Sequence, residues 1–386
     1  SGGGFRSGGS GCAIYDGGAM AGKGVVFVSI KYRVGVFGVL AHPELSAESG
    51  YGSSGNYAIL DMVAALEWVQ KNIERFGGDP GNVTIAGQSA GSFAVNYLTV
   101  SPLARGLFHR AIAQSGAGFL SSPLRPPVSL KEAEESGLAF GEALGAGSIA
   151  DLRSLPADAI LNAPGGMSAP FTDGYVLPLS VMDAYKKGQQ NDVPVITGWN
   201  KDDRLMGAAR KADRFREQIQ DRFGDLADEC LAVYPAGTDE EAARSQYAMS
   251  RDESFGIQAY TWAKVQSAAG GSPVFLYNFN RELPAHTVET QFGAFHSGEI
   301  VYAYDNLHTL DRPWEPVDQK IASQMSSYWV NFARTGNPNG PGLPGWEAYT
   351  ARSEQALLFD TITVQQAVPS LEQLEFWEKF TLMKRN

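Results

Sequence analysis

Residues 82–91 read Asn-Val-Thr-Ile-Ala-Gly-Gln-Ser-Ala-Gly. The first five form a β-branched run too short for a helix, and from Ala90 to Tyr97 the pattern turns helix-like. Between them stands Gly87-Gln88-Ser89-Ala90-Gly91, a Gly-x-Ser-x-Gly pentapeptide. A serine on a sharp strand-to-helix turn projects its hydroxyl clear of the backbone, and the two glycines let neighbouring chain pass without a side-chain clash. A helix starting at Ala90 also offers free N–H groups and a positive dipole end to an oxyanion. A chance match in a chain with 44 Gly would lack the flanking strand and helix. Ser89 is therefore read as a nucleophile.

Working outward, 25–30 is a β-branched and aromatic run that reads as a buried strand. After Asn56, Leu60, Val63, Leu66, Val69 and Ile73 recur at helical spacing until Gly77-Gly78-Asp79-Pro80 stops them. Strand character returns after the Ser89 helix. Strand, helix, strand, helix, strand is the pattern of a parallel sheet with crossover helices. Parallel strands are expected near 25–32, 82–87, 110–114, 193–197 and 272–278. Helical insertions are expected around 121–190 and 204–270, and amphipathic helices at 320–333 and 371–384. No repeat or linker divides the chain, so 1–386 reads as one α/β domain.

Composition removes several function classes. With 31 Lys+Arg against 42 Asp+Glu the net charge is −11, and no basic stretch tracks phosphates, so neither nucleic acid nor an anionic membrane is an expected partner. Apolar stretches such as 24–30 are far shorter than the roughly 20 residues that span a bilayer. Cys12 and Cys230 form no CxxC or Cys/His cluster that would hold a metal, and read as two buried small hydrophobes. Residues 1–11, SGGGFRSGGSG, carry neither a start methionine nor the basic and apolar regions of a signal peptide.

Those glycines have a second use. A serine elbow needs further backbone donors from a glycine-rich loop near the scissile carbonyl, which makes Gly3, Gly4 and Ala90 a candidate three-donor oxyanion hole. The stretch 76–91, FGGDPGNVTIAGQSAG, resembles the active-site signature of the type-B carboxylesterases, which include para-nitrobenzyl esterases and cholinesterases. The segments 31–35 (KYRVG), 55–57 (GNY), 111–116 (AIAQSG), 328–333 (YWVNFA) and 336–338 (GNP) agree in order, so the resemblance covers nearly the whole chain.

The resemblance implies an α/β-hydrolase fold with a mostly parallel sheet and a triad in the order Ser, acid, His. It also implies hydrolysis of small-molecule carboxylic esters through a serine acyl-enzyme, with no metal or organic cofactor. The segment 293–300, GAFHSGEI, is similar to the family's catalytic-histidine segment and makes His296 the general base; His42, His109, His286 and His308 are left as surface or packing residues. For the acid, the family has an acidic pair followed by Gly. That places Asp203 at the catalytic position, with Asp202 a solvated loop carboxylate and Arg204 in the place of the glycine. Gln88 stands where cholinesterases carry an acid, which argues against a choline site. Ser115 resembles a serine just behind the triad, or is simply a hydroxyl at the end of an element.

Two other readings use the same residues: a cholinesterase-like binding module without activity, and an acyltransferase. Trp199, Phe119, Phe171 and Tyr175 could line substrate pockets, with core packing the preferred reading for each. In the family a long segment carrying the first strands precedes the glycine run, and Ser1 stands where a His is usual. The expectation is that an upstream fragment of the same protein completes the sheet, or that the chain has low stability and turnover.

Overall fold

A computed structural model describes residues 1–122, 124–166, 169–269 and 271–383. Six short apolar runs become strands: β1 (Thr84–Gln88), β2 (Arg110–Gln114), β3 (Val195–Asn200), β4 (Val274–Phe279), β5 (Gln355–Phe359) and β6 (Val364–Ala367). They lie side by side in chain order; β1 to β5 are parallel and β6 returns antiparallel to β5. In register, Gln88 at the carboxyl end of β1 faces Gln114 of β2.

Alternation along the strands sorts their side chains into two cores. Ala111, Ala113, Val195, Trp199, Val274, Leu276, Ala356 and Leu358 face one core, and Ile112, Ile196, Phe275, Tyr277, Phe279, Leu357 and Phe359 face the other. A parallel sheet buried on both faces needs a helical layer on each. One core is completed by helices α1 (Tyr57–Asn72), α2 (Ala90–Val100), α3 (Ile257–Ala269) and α5 (Leu371–Met383), the other by α4 (Pro316–Thr335). Every residue of α2 is buried, so the helix that follows Ser89 is locked to the sheet. Asn56, just before α1, does not cap it: its backbone is left-handed (φ 50°), and its side chain donates to the Phe171 carbonyl at 2.8 Å and accepts from the Phe171 N–H at 3.1 Å.

The expected strands at 82–87, 110–114, 193–197 and 272–278 are present within two or three residues at their ends. The strand expected at 25–32 is not. That segment forms no regular element: Val25 and Phe27 pack against one core and Ile30 and Tyr32 against the other, but it joins no ladder. Propensity favours an extended backbone; a strand also requires a hydrogen-bonding neighbour, and β1 does not pair with it. Two smaller corrections follow, and one expectation runs past the described residues. The segment 204–270 is not all excursion, because it ends in α3, which packs on β3 and β4 as the crossover between them. Cys12 is exposed and only Cys230 is buried. The closing helix is described to Met383, and Lys384 lies outside the described residues.

Candidate active site

The turn after β1 shows why the pentapeptide has its glycines. A Cβ on Gly87 would lie 2.2 Å from the Gly91 carbonyl oxygen, and one on Gly91 would lie 2.9 Å from that of Ser1. Ser89 itself has φ 54° and ψ −122°, a conformation an L-residue holds only when its surroundings impose it. Its N–H is bonded to the Gln114 carbonyl at 2.8 Å and its carbonyl accepts from Phe93 N–H at 3.0 Å, so sheet and helix hold the strained residue from both sides.

His296 comes from a loop after β4, and its Nε2 lies 2.9 Å from Ser89 Oγ. Nδ1 lies 2.5 Å from Asp203 Oδ1. Asp203 is fully buried in the turn after β3, and its other oxygen accepts the Asn200 N–H at 3.0 Å. Burial pulls the imidazole pKa down, but the charge and hydrogen bond of Asp203 outweigh it, with Glu299 adding, so the net shift is upward from the ordinary value. Phe255 stacks on the imidazole at 4.7 Å from a π-helical turn, Asp252–Gly256.

Asp202 points elsewhere. Its Oδ2 accepts the Ala294 N–H at 2.8 Å and its backbone bridges to Phe295, so it ties down the loop that carries His296 and is not the free solvated carboxylate expected from sequence. Arg204 fits in the family's glycine position because its φ is not positive, and its guanidinium stacks on Tyr247 at 3.7 Å.

The N–H groups of Gly3, Gly4 and Ala90 donate to no protein acceptor among the described residues. The loop is shaped by the Gly3 carbonyl, which accepts from Arg6 N–H at 3.0 Å and Ser7 N–H at 3.1 Å, and by Gly2 N–H on the Tyr15 hydroxyl. Gln88 Nε2 is 3.4 Å from His296 Nε2, and its Oε1 is buried without a partner. Ser115, just after β2, is fully buried with φ 55°, and its hydroxyl meets no protein partner among the described residues, so it makes no bond to Ser89, His296 or Asp203. Of the other histidines, His42 and His109 accept backbone N–H groups through Nδ1, and His286 faces Asp311, which fits packing and surface roles.

Sequence reading missed Glu299. It is fully buried three residues after His296, accepts from Asn200 Nδ2 at 2.5 Å and from Gln114 Nε2 at 3.3 Å, and its pKa is pushed up to about 7 by burial, with the Asp203 charge adding. An acid opening the apolar run Glu299-Ile300-Val301-Tyr302 was the available signal. The Asn200 amide also donates to the Phe295 carbonyl at 2.8 Å, linking this carboxyl to the His296 loop.

A cavity of about 1380 Å³ opens beside the site and reaches the glycine loop at Gly4. Phe119 and Phe171 line it, Trp199 belongs to the core, and Tyr175 stacks on Tyr51 at 3.8 Å. Among the described residues no group of three or more His, Cys, Asp or Glu could hold a metal ion, and no helix is long and apolar enough to cross a membrane.

Comparison with known proteins identifies the family. The carboxylesterase family model matches residues 1–377. Fumonisin B1 esterase of Sphingopyxis macrogoltabida is 37% identical over 378 residues, covering 92% of this chain and 67% of that protein. Human cocaine esterase is 30% identical, covering 95% and 69%. Among solved structures, carboxylesterase EST55 of Geobacillus stearothermophilus superposes with a TM-score of 0.81 at 32% identity, covering 97% of this chain and 80% of that one. A PNB esterase superposes with a TM-score of 0.80 at 28% identity, covering 97% and 79%. With its parallel sheet, serine elbow and a family match over residues 1–377, the chain belongs to the carboxylesterase family, ester hydrolases of the α/β-hydrolase fold.

Proposed function

We propose that the protein hydrolyses small-molecule carboxylic esters through a covalent acyl-enzyme on Ser89. The observation that carries this reading is the continuous chain from Ser89 Oγ to His296 Nε2 at 2.9 Å and from Nδ1 to Asp203 at 2.5 Å. Ser89 Oγ attacks the ester carbonyl carbon while its proton passes to Nε2. Negative charge develops on the carbonyl oxygen, where the free N–H groups of Gly3, Gly4 and Ala90 receive it. His296 then returns the proton to the departing alcohol oxygen, and water repeats the sequence to release the acid. Asp203 holds the imidazole in the tautomer with hydrogen on Nδ1 and stabilises the imidazolium.

The raised pKa of His296 has a kinetic sign. The base must be neutral to accept the serine proton, so kcat/KM falls with falling pH through a pKa above the ordinary imidazole value. Ser89→Ala tests the mechanism: turnover of a p-nitrophenyl ester drops by about 10⁴ to 10⁶. An organophosphate adds its mass to the Ser89 peptide of wild type and to no peptide of the variant. Wild-type esterase rates in Ser89→Ala sink the reading. Acyl transfer passes through the same acyl-enzyme and is separated from hydrolysis by product analysis with added alcohol.

A further inference from the structure

Arg125 lines the cavity beside the glycine loop, and its guanidinium lies over two rings, 4.6 Å from the centre of Phe93 and 5.3 Å from that of Phe5. Both rings belong to the elements that carry the oxyanion donors. Phe5 follows Gly3-Gly4, and Phe93 is one turn into α2, bonded to the Ser89 carbonyl. The cation is therefore built into the same wall as the reacting centre.

What surrounds it does not balance it. Nη1 donates to the Leu124 carbonyl at 2.6 Å, and Nε is buried without an acceptor. Its other polar neighbour is the Tyr97 phenol, which burial keeps neutral by raising its pKa. The charge that bears on it is a second cation, Arg6, exposed on the same cavity, and burial together with Arg6 lowers the guanidinium pKa. Among the described residues neither Arg125 nor Arg6 has a carboxylate partner, although Arg222 of the same cavity is paired with Glu253. A guanidinium stays charged, and a charge withdrawn from water is costly without a counter-charge. In a chain of net charge −11, a cavity that reaches the glycine loop at Gly4 and holds two arginines with no carboxylate partner among the described residues is a local departure that favours an anion.

We propose that Arg125, with Arg6 at the rim, binds a carboxylate carried by the substrate, so that the preferred esters are anionic ones. This rests on the ester-hydrolase reading above and adds the substrate class to it. Aromatic faces hold the guanidinium in position, and a carboxylate supplies the missing counter-charge.

Two matched pairs of esters test it. Mono-p-nitrophenyl glutarate against p-nitrophenyl pentanoate puts the carboxylate on the acyl arm; 4-butyryloxybenzoate against phenyl butyrate puts it on the alcohol arm. Wild type prefers the charged member of one pair in kcat/KM. Arg125→Met lowers that charged-to-neutral ratio about 10- to 100-fold, as the loss of a charged hydrogen bond implies, and Arg125→Lys retains part of it. The arm that responds locates the carboxylate. Unchanged ratios on both arms overturn the proposal.

A readout on wild type alone guards against a variant that fails to fold. Free glutarate raises the melting temperature and glutaramide does not, with the shift fading at high salt. No shift with glutarate overturns the proposal as well. If wild type cleaves none of the four esters, the acyl-enzyme reading fails, while the glutarate melt still decides whether the anion site exists.

Discussion

Every residue of β3 and β4 is buried, whereas Ala86 in the middle of β1 is exposed and Val26 and Val28 of the unpaired segment 25–32 are each 42% exposed. Asp203 and His296 are delivered by the first region. The glycine donors and the outer flank of the Ser89 strand belong to the second. A buried carboxylate facing an imidazole needs fixed partners, and it receives them from the ladder, from Asn200 and from the Ala294–Asp202 clasp. The oxyanion donors must stay unbonded until charge develops, so their loop is held by few hydrogen bonds, through Gly3 and Gly2 and from Gly35 N–H to the Phe5 carbonyl. The Asp203–His296 pair is thus anchored in paired strands, and the proposed oxyanion donors rest on the less supported side.

The sharpest way to break this contrast is at the carboxylate. Asp203→Asn keeps the shape but favours the wrong imidazole tautomer, and kcat on one ester should fall by about 10⁴, the cost of the same change in a serine protease. A small loss would move the acid elsewhere.

Hydrogen exchange compares the two regions directly. Among the described residues no backbone group accepts a backbone N–H of residues 25–32, while β3 is bonded on both sides. Amides of 25–32 should exchange at least about 10³-fold faster than those of Val195–Asn200, since core strands open only near the global unfolding limit. Equal protection would mean that the segment is paired in solution.

The glycine loop is probed by Gly3→Ala. Gly3 has φ 107°, and an added Cβ would sit 2.1 Å from the Ser7 carbonyl oxygen. The loop must shift, and loss of its donors should lower kcat by about 10² to 10³ with little change in melting temperature. A fall in stability with kcat intact would mean that these N–H groups do not face the oxyanion.

Glu299 separates stability from catalysis by pH. Burial, and then the Asp203 charge, raises its folded pKa to about 7 from 4.5, so the folded state binds more protons between these values. Its contribution is therefore full below about pH 4.5 and is lost as pH rises through about 7. Glu299→Gln should flatten that fall, changing unfolding free energy at pH 8 relative to pH 5 by on the order of 3 kcal/mol. An unchanged slope would place the titration on another group. The smallest effect is expected for Asp202→Asn, which keeps an oxygen acceptor for Ala294 N–H; kcat should change by less than about tenfold, with a change in loop exchange rates as the more sensitive readout.

Residues near one another in the chain account for most of what could be read beforehand. The elbow at Ser89 is a local matter of one strained residue between two glycines, and strands such as Arg110–Gln114 are short apolar runs with one conformational choice. His296 was legible only through resemblance, because nothing in its own neighbourhood distinguishes it from His109. Asp203 was likewise favoured over Asp202 through resemblance, but what each carboxylate reaches needed the fold: adjacent residues in a turn point apart, and burial against His296 or reach to Ala294 is decided by packing of loops some 90 residues away in sequence. The same holds for Phe255 over the imidazole and for Glu299 behind it. The run at 25–32 has strand composition and lacks a partner, and propensity cannot supply one. By itself the sequence determined conformations that a few neighbouring residues settle through sterics and periodicity; the tertiary structure decided whatever depends on which distant groups share a buried volume, because desolvation and hydrogen-bond satisfaction are properties of the packed assembly.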